Sequence, residues 1–404
     1  MTTETKLKRR LNLPLLILYG LGVTIGAGIY VLVGAAAGKA GLYAPISFVL
    51  AAVVVSFTGF SYAELSTRYP VSAGEAAYVK KGFNSSTLSL AVGIMVIASG
   101  VVSSAAVAIG AAAYIHELLA ISQNIILFVV IVIVGLVAAW GILESVSFAA
   151  LFTIVEILGL LLVIGYAFYS FPEEAIQFQK TLPPFDAAVW TGIFSAGLLA
   201  FFAFIGFEDI VNVAEEVKNP GANMPKGIIW TLIVATLIYF VVVSVVVLTV
   251  PLEDLIASDA PLSLVFRDAG FATEGLFILI AIIATVNGIL IQVIMASRVL
   301  YGLAAQGNLP EQFSNVNEIT QTPLVATATI IGLIMFLAYF MPISSLAETT
   351  SSIVLSVFAI VNIALILIKK KGDEPGTPYY KVGVWVPYIG FISSTALLIS
   401  GFLT

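Results

Sequence analysis

The feature that most constrains this chain is a succession of apolar runs, each about long enough to cross a lipid bilayer. Hydrophobic residues fill 60% of the 404 positions and charged residues 10%, whereas soluble domains average about 45–50% and about 25%. A spanning helix needs about 20 largely apolar residues. Eleven runs qualify: 12–38, 43–67, 86–116, 124–142, 146–170, 189–214, 226–250, 273–303, 324–341, 344–368 and 384–403.

The runs predict helices, because backbone polar groups in lipid must hydrogen-bond within the protein and no run alternates as a membrane strand does. We therefore predict an all-α membrane protein whose single transmembrane domain covers residues 1–404. With the N-terminus in the cytoplasm, 14 of the 17 Lys and Arg residues lie inside and only Lys39, Lys180 and Arg267 lie outside. This distribution follows the positive-inside rule and predicts a multi-pass protein of the inner cell membrane with an external C-terminus.

Several classes of function are disfavoured by what the chain lacks. There is no Cys and one His, His116, so thiol chemistry and Cys-based zinc sites are excluded. The net charge of −6 and the absence of a basic, aromatic-rich cluster argue against a nucleic-acid partner. No phosphate-cradling Gly-Lys-Ser/Thr motif occurs, so ATP is not the expected energy source. We expect neither an enzyme nor a bound cofactor or metal.

Two of the runs do not read as continuous helices. The first contains Gly20, Gly22, Gly26 and Gly28, although Gly costs about 1 kcal/mol against Ala within a helix. The sixth carries Gly206, followed directly by two carboxylates. These runs open spans 1–5 and 6–10, and interrupted helices at matching positions of two halves are the best sequence pointer to a transporter's binding site.

Unwound backbone at half depth suits a zwitterion. The half-helix after Gly28 offers N–H groups and a positive dipole end to a carboxylate. The carbonyls of residues 203–206 can accept hydrogen bonds from an ammonium group. Such unwinding is tolerated only where it lines a cavity. The alternative is that these glycines allow helices to pack closely.

Four stretches resemble the amino acid–polyamine–organocation (APC) superfamily of amino-acid permeases. They are GVTIGAGIY at 22–30, SYAELSTRYP at 61–70, FAFIGFE at 202–208 running into EEVKNP at 215–220, and ASRVLY at 296–301. The resemblance implies a LeuT-like five-plus-five inverted repeat of about eleven helices, with helices 1 and 6 unwound at mid-membrane. The repeats would occupy 12–170 and 189–368, followed by an extra C-terminal helix at 384–403.

The resemblance also implies where a substrate binds. Its carboxylate would lie on the N–H groups of Gly26, Ala27 and Gly28, and its amino group on carbonyls near Thr24, Phe202 and Ile205. Phe202 matches the aromatic residue that closes over substrate in relatives, and Phe207 is a second gating candidate. The candidate substrate-binding residues are Thr24, Ile25, Gly26, Ala27, Gly28, Phe202, Ala203, Ile205 and Gly206.

Two carboxylates within the runs are candidates for proton coupling. Glu156 lies mid-span where several relatives place a Lys, and Glu208 follows the sixth-span break. A carboxylate at the bilayer centre costs about 2.5–3.5 kcal/mol, whereas a protonated Glu is neutral. Each has a structural alternative, a protonated helix contact for Glu156 and a hydrogen-bond acceptor for the unwound backbone for Glu208. Asn287 and Gln292 are candidate cavity-lining residues.

These observations predict a secondary active transporter of amino acids that works by alternating access. The apolar, aromatic lining favours neutral amino acids carried together with protons, with Na⁺ as the alternative coupling ion. A transporter or exchanger of cationic amino acids or polyamines, or a sensor that does not transport, are the alternatives. The expected partners are a small amino acid and the lipid bilayer, in a monomer or weak homodimer.

Overall fold

The computed structural model describes residues 11–403 except positions 27, 72–73, 120, 141–145, 259, 306, 308, 318–319, 321, 373 and 376–377. Within these residues the secondary structure is helical and contains no strand beyond one isolated bridge between Leu11 and Val217. The prediction of an all-α membrane protein is confirmed for this part of the chain.

The α-helices follow the predicted runs, with two short additions between them. In chain order they are α1 (Leu13–Ile25), α2 (Gly28–Ala40), α3 (Ala44–Arg68), α4 (Gly74–Phe83), α5 (Ser86–Leu118), α6 (Gln123–Trp140), α7 (Val146–Ser170), α8 (Ala187–Phe202), α9 (Pro220–Thr249), α10 (Leu252–Ala257), α11 (Phe271–Ala305), α12 (Leu324–Phe340), α13 (Ile343–Lys371) and α14 (Trp385–Leu403). A 3-10 helix, Phe207–Glu216, follows α8 and is called the 3-10 segment below. The additions, α4 and α10, are too short and polar to appear as apolar runs.

Length and composition separate the helices into two groups. Four shorter apolar helices cover residues 13–25, 123–139, 324–340 and 385–401, and together with the longer ones they account for all eleven predicted runs. In the described chain, seven stretches are long and apolar enough to cross a membrane: Gly28–Arg68, Ser86–Leu118, Leu151–Ser170, Ala187–Val211, Pro220–Thr249, Thr273–Ala305 and Ile343–Lys371.

Local side chains set where several helices begin. The side-chain oxygens of Asn12, Ser85 and Asp186 accept hydrogen bonds from the backbone N–H three residues on, at 3.1, 3.2 and 3.0 Å. Each bond satisfies one of the N–H groups that a helix start leaves without an intrahelical partner. These three caps fix the starts of α1, α5 and α8, and α1 and α8 are the helices that lead into the two breaks.

The first and sixth runs are interrupted, as predicted. Helix α1 ends at Ile25 and α2 begins at Gly28, with a bend at Gly26. Helix α8 ends at Phe202, residues 203–206 form turns, and the 3-10 segment begins at Phe207. Gly206 has φ +115°, a conformation that side-chain-bearing residues rarely adopt, so this position requires Gly.

A buried charge cluster ties three elements together on the side where the described chain begins. The Glu64 carboxylate is fully buried. Its Oε1 accepts a hydrogen bond from Arg68 Nε at 2.7 Å. Its Oε2 accepts hydrogen bonds from Lys369 Nζ at 2.6 Å and from the Val382 N–H at 2.8 Å. A buried carboxylate is tolerated when it is paired and hydrogen-bonded in this way. The cluster thus joins α3, α13 and the segment before α14.

A second polar network docks α14 onto the rest of the fold. The Asn362 side chain accepts a hydrogen bond from Ser61 Oγ at 2.6 Å and donates one to Thr58 Oγ1 at 2.9 Å. Thr58 Oγ1 lies 3.4 Å from Ser394 Oγ of α14. Gly390 packs so closely that a Cβ there would lie 2.5 Å from Asn362 Oδ1. The last helix is therefore integrated with α3 and α13 rather than loosely appended.

Candidate functional site

The two breaks lie directly against each other. A Cβ at Gly28 would lie 2.4 Å from Ala203 Cα, and a Cβ at Gly206 would lie 2.7 Å from the carbonyl oxygen of Val23. Real Cβ atoms essentially never come this close to other heavy atoms. Gly28 and Gly206 therefore let the unwound backbone of one run contact that of the other, and this juxtaposition forms the centre of the site.

One hydroxyl group bridges the two breaks. Tyr239 Oη of α9 lies 2.7 Å from the carbonyl oxygen of Thr24 and 2.8 Å from that of Ala203, and the residue is fully buried. A tyrosine hydroxyl carries one hydrogen, so the two carbonyls share a single donor. Sequence reasoning missed Tyr239, although a Tyr in the middle of an apolar run needs a hydrogen-bond partner when it is buried.

The Glu208 side chain stabilises the second break. Its Oε2 accepts a hydrogen bond from the backbone N–H of Gly206 at 2.9 Å, and the carboxyl group is buried. The turns before it are closed by i to i−3 bonds, as from Phe204 N–H to Phe201 O at 2.9 Å. Glu208 thus gives the Gly206 N–H the hydrogen-bond acceptor that a continuous helix would have supplied. This is the structural role that the sequence suggested for Glu208.

A small cavity lies between the breaks and helices α5 and α11. About 20 Å³ of it is open to the centre of a water molecule, and a single water needs about 10–15 Å³ on this measure. Sites for small ligands are typically about 300–1,000 Å³, and the cavity in this structure is much smaller. The lining residues are Val23, Thr24, Gly28, Ser103, Val107, Phe202, Ile205, Gly288, Ile291 and Gln292.

The predicted residues divide into three groups. Five of them, Thr24, Gly28, Phe202, Ile205 and Gln292, line the cavity. Ile25, Gly26, Ala203 and Gly206 lie in or beside the breaks without lining it, and Ala27 is outside the described residues. The sequence reasoning did not single out Val23, Val107, Gly288 or Ile291, because nothing distinguishes one apolar position of a long run from the next before packing is known.

The structure places Phe207 and Asn287 away from the cavity lining. The Phe207 ring lies edge-on to Tyr62 and Phe358, with ring centroids 5.9 and 5.4 Å apart. Asn287 Nδ2 donates to Glu156 Oε1 at 3.1 Å. Phe207, the first residue of the 3-10 segment, therefore packs against α3 and α13, and Asn287 orients the carboxyl group of Glu156 on α7.

Glu156 is fully buried beside the first break. Its Oε2 has no hydrogen-bond partner among the described residues, while its backbone carbonyl accepts from Tyr30 Oη of α2 at 2.7 Å. Thr153, one turn earlier on α7, lies so close to Gly22 of α1 that a Cβ there would be 2.0 Å from its Oγ1. A buried carboxyl oxygen without a partner can hold a proton or accept a hydrogen bond.

An ion pair and a backbone contact join elements on the two sides of the cavity. At one end, Lys39 Nζ of α2 lies 2.5 Å from Glu348 Oε1 of α13. At the other, the Lys218 N–H after the 3-10 segment donates to the Leu11 carbonyl just before α1, at 2.8 Å. Each contact involves a half-helix of a broken run, so a movement of that half-helix would change it.

Comparison with known proteins identifies this architecture. The sequence model of the family described as "Amino acid permease" matches residues 11–404. The chain belongs to the amino acid permease family. This permease is therefore a multi-pass membrane transporter of the APC superfamily and not an enzyme, as its sequence predicted.

Its curated relatives carry different names. The branched-chain amino acid permease BcaP of Bacillus subtilis is 31% identical, with 93% of this chain and 85% of that protein aligned. The vacuolar cationic amino acid transporter 2 of Arabidopsis thaliana is also 31% identical, over 90% of this chain and 60% of its own length. The methylthioribose transporter of B. subtilis is 29% identical, with 95% of this chain and 85% of that protein aligned. The chain thus spans most of the bacterial relatives and about three fifths of the plant one.

Replacing Tyr239 with Phe should destabilise the permease. The change removes the one donor shared by the two breaks and leaves buried carbonyls unpaired, which costs about 1–3 kcal/mol. Unfolding in mixed micelles would measure this loss. Thr236→Val is the matched control, because the Thr236 hydroxyl on the same helix donates only to Leu232 O of its own helix. Equal stability of the two variants would contradict the bridging role.

Replacing Gly28 with Ala should also destabilise the fold, because the new methyl group would meet the backbone of Ala203 and not a movable side chain. Overpacking of this kind costs about 1–3 kcal/mol. The control is Gly332→Ala, where a Cβ would meet no atom within 4 Å. Thermal unfolding in detergent should show a lower midpoint for Gly28→Ala alone. An unchanged midpoint would contradict the close approach of the breaks.

Proposed function

We propose that this permease is a secondary active transporter that carries neutral amino acids across the cell membrane together with protons, by alternating access. The observation that supports this most directly is the pair of facing helix breaks around one cavity. Backbone N–H and carbonyl groups freed at the breaks can bind the carboxylate and ammonium groups that every amino acid has. The substrate-binding role of Thr24, Gly28, Phe202 and Ile205 is part of this proposal.

The proposed topology follows from the same breaks. Eleven helices would cross the membrane, with the five-plus-five inverted repeat over 12–170 and 189–368 and the last helix at 384–403. The N-terminus would lie in the cytoplasm and the C-terminus outside. The whole chain would act as one transmembrane domain, in a monomer or weak homodimer.

The cavity lining favours a neutral substrate. Val23, Val107, Phe202, Ile205 and Ile291 present apolar surface, and no described lining residue is charged. An apolar side chain would be bound there without leaving a charge unpaired. The likeness to a protein named as a branched-chain amino acid permease agrees with this choice. We therefore propose apolar amino acids such as leucine as substrates.

Cationic amino acids are the second candidate. Two carboxylates, Glu208 and Asp209, lie immediately beyond Ile205 in a neighbouring cavity, where a long cationic side chain could reach them. Several relatives of similar identity are named as cationic amino acid transporters. The two candidates make opposite predictions about which substrate the protein binds.

A binding screen should separate these candidates and test the transport function. Thermal unfolding in detergent would be measured with each of the twenty amino acids and with polyamines. A ligand at 100 times its dissociation constant stabilises a protein by about 2.7 kcal/mol, and we expect this effect from leucine, isoleucine or valine and not from lysine or arginine. The reverse would favour the cationic candidate. Uptake of the bound compound into proteoliposomes distinguishes a transporter from a sensor, which would bind without uptake.

Glu156 is proposed to carry the coupled proton, with Glu208 as the second candidate and Na⁺ as the alternative ion. The Glu156→Gln variant should keep exchange of labelled for unlabelled substrate. Its uptake driven by a proton gradient should fall at least about tenfold, equivalent to about 1.4 kcal/mol. Glu311→Gln, which changes an exposed carboxylate, is the control. Unchanged gradient-driven uptake in Glu156→Gln would refute this role, and stimulation of wild-type uptake by Na⁺ instead of protons would favour the alternative.

A further inference from the structure

The substrate cavity has a polar corner in an otherwise apolar lining. The polar corner consists of Ser103 of α5 and Gln292 of α11, which line the cavity across from the two breaks. In the proposed function the carboxylate and ammonium groups of the substrate lie on the breaks, so α5 and α11 face the substrate side chain. The polar corner is therefore in a position to discriminate among side chains.

The packing of α5 against α11 brings the two residues of the polar corner to the same level. A Cβ at Gly93 would lie 3.1 Å from Leu303 Cδ2, and one at Gly100 would lie 3.2 Å from Gln292 Oε1. The two helices are therefore antiparallel, and the Gln292 amide lies over Gly100. Ser103 follows Gly100 by three residues, about one helical turn, and so lies on the same face of α5.

Neither side chain of the polar corner has a hydrogen-bond partner among the described residues. Other hydroxyl groups on these helices do. The hydroxyls of Ser99 on α5 and Ser297 on α11 donate to carbonyls about one turn earlier in their own helices, at 2.8 and 2.7 Å. Ser103 and Gln292 are both more than nine-tenths buried. Because buried polar groups without partners cost free energy, these two groups are available to a ligand in the cavity.

The chemistry of the polar corner suits an uncharged group that both donates and accepts hydrogen bonds. The Ser103 hydroxyl and the Gln292 amide each have donor hydrogens and an acceptor oxygen. The remaining lining side chains are apolar apart from Thr24, whose hydroxyl donates to the Gly20 carbonyl of its own helix at 2.8 Å. A hydroxyl or carboxamide group would be paired at the corner, whereas a charged group would lack an opposite charge there.

We propose that Ser103 and Gln292 determine specificity by hydrogen-bonding a hydroxyl or carboxamide group on the substrate side chain. The substrates then include threonine and asparagine in addition to valine and leucine, which have similar shapes but lack these groups. This inference rests on the proposed function, because the breaks must hold the carboxylate and ammonium groups for the side chain to face the corner.

The comparison of threonine with valine isolates the contribution of the corner. The two amino acids differ by a hydroxyl in place of a methyl group. A purely apolar pocket disfavours the added hydroxyl by about 100-fold, because a hydroxyl buried without a partner loses its hydrogen bonds to water. At the polar corner the hydroxyl has partners, so threonine should bind at least as tightly as valine. Asparagine and leucine provide a second, longer pair.

Equilibrium binding to the full-length protein in detergent tests the proposal. Isothermal titration calorimetry would give dissociation constants for the four amino acids with wild type, Gln292→Leu, Ser103→Ala and the double variant. Threonine should bind wild type at least as tightly as valine. It should bind the double variant about 100-fold more weakly than valine, while valine binds the variant no more weakly than it binds wild type. Each single variant should give an intermediate ratio.

The matched control is Ser297→Ala. The Ser297 hydroxyl is on α11, donates to its own helix and lines neither cavity, so this variant should leave the threonine-to-valine ratio unchanged. Ser103→Ala removes a single hydroxyl and tests the corner even where Gln292→Leu does not fold. An equal ratio in wild type and variants would overturn the proposal, because the two side chains would then act only in packing.

The outcomes also separate this inference from the proposed function. Binding of valine and leucine without threonine or asparagine would overturn the role of the corner and leave the proposed function intact. Binding of threonine and asparagine alone would support the corner and replace the apolar substrates. Absence of binding by all four would refute both. Threonine that does not compete with labelled valine would occupy a different site, which would again overturn the inference.

Discussion

The hydrogen bonds of one hydroxyl group, Tyr239 Oη, hold the centre of this permease together. In lipid, peptide groups released from a helix have no water to bond with and each costs several kcal/mol if unpaired. Tyr239 lies within hydrogen-bond distance of a carbonyl from each break, Thr24 and Ala203, and glycines at 28 and 206 let the two backbones meet. Because a single hydrogen serves two acceptors, the two breaks are joined through one shared donor.

The buried carboxylates of this protein differ in their ion-pair and hydrogen-bond partners. Glu64 has two cations and a backbone donor, which makes it a fixed tie between α3, α13 and the segment before α14. Glu156 has one amide donor and an oxygen without a partner in the described structure. Glu75, Glu208 and Asp209 share a cavity that no described cation lines. A carboxylate paired with two cations stabilises one arrangement, whereas the free oxygen of Glu156 can hold a proton or accept a hydrogen bond.

Relatives of nearly equal identity bear the names of branched-chain, cationic amino acid and methylthioribose transporters. Backbone groups at the breaks do not depend on side-chain identity, so they suit a scaffold shared among such proteins. In the proposed function, selectivity depends on the side chains of the cavity. Here these are Phe202 and Ile205 from the second break, and Gln292 and Ile291 from α11, which together present a mainly apolar surface. Ile205 and Gln292 also line the neighbouring cavity that contains Glu208 and Asp209.

The sequence by itself determined the class of fold, the helical runs, the positions of both breaks and the family, because the cost of polar backbone in lipid restricts each run to helix and the glycines of 22–28 and 206 mark where helix fails. It also brought Glu156, Glu208 and Gln292 to attention, since polar groups are conspicuous in apolar runs. The tertiary structure decided which residues meet. The Tyr239 hydroxyl bridges the two breaks. Asn287 donates a hydrogen bond to Glu156, and Phe207 packs away from the cavity. Glu75 of α4 and Glu208, more than a hundred residues further along the chain, line the same cavity. Such pairings depend on how helices pack against one another, and the composition of a single helix does not encode its neighbour.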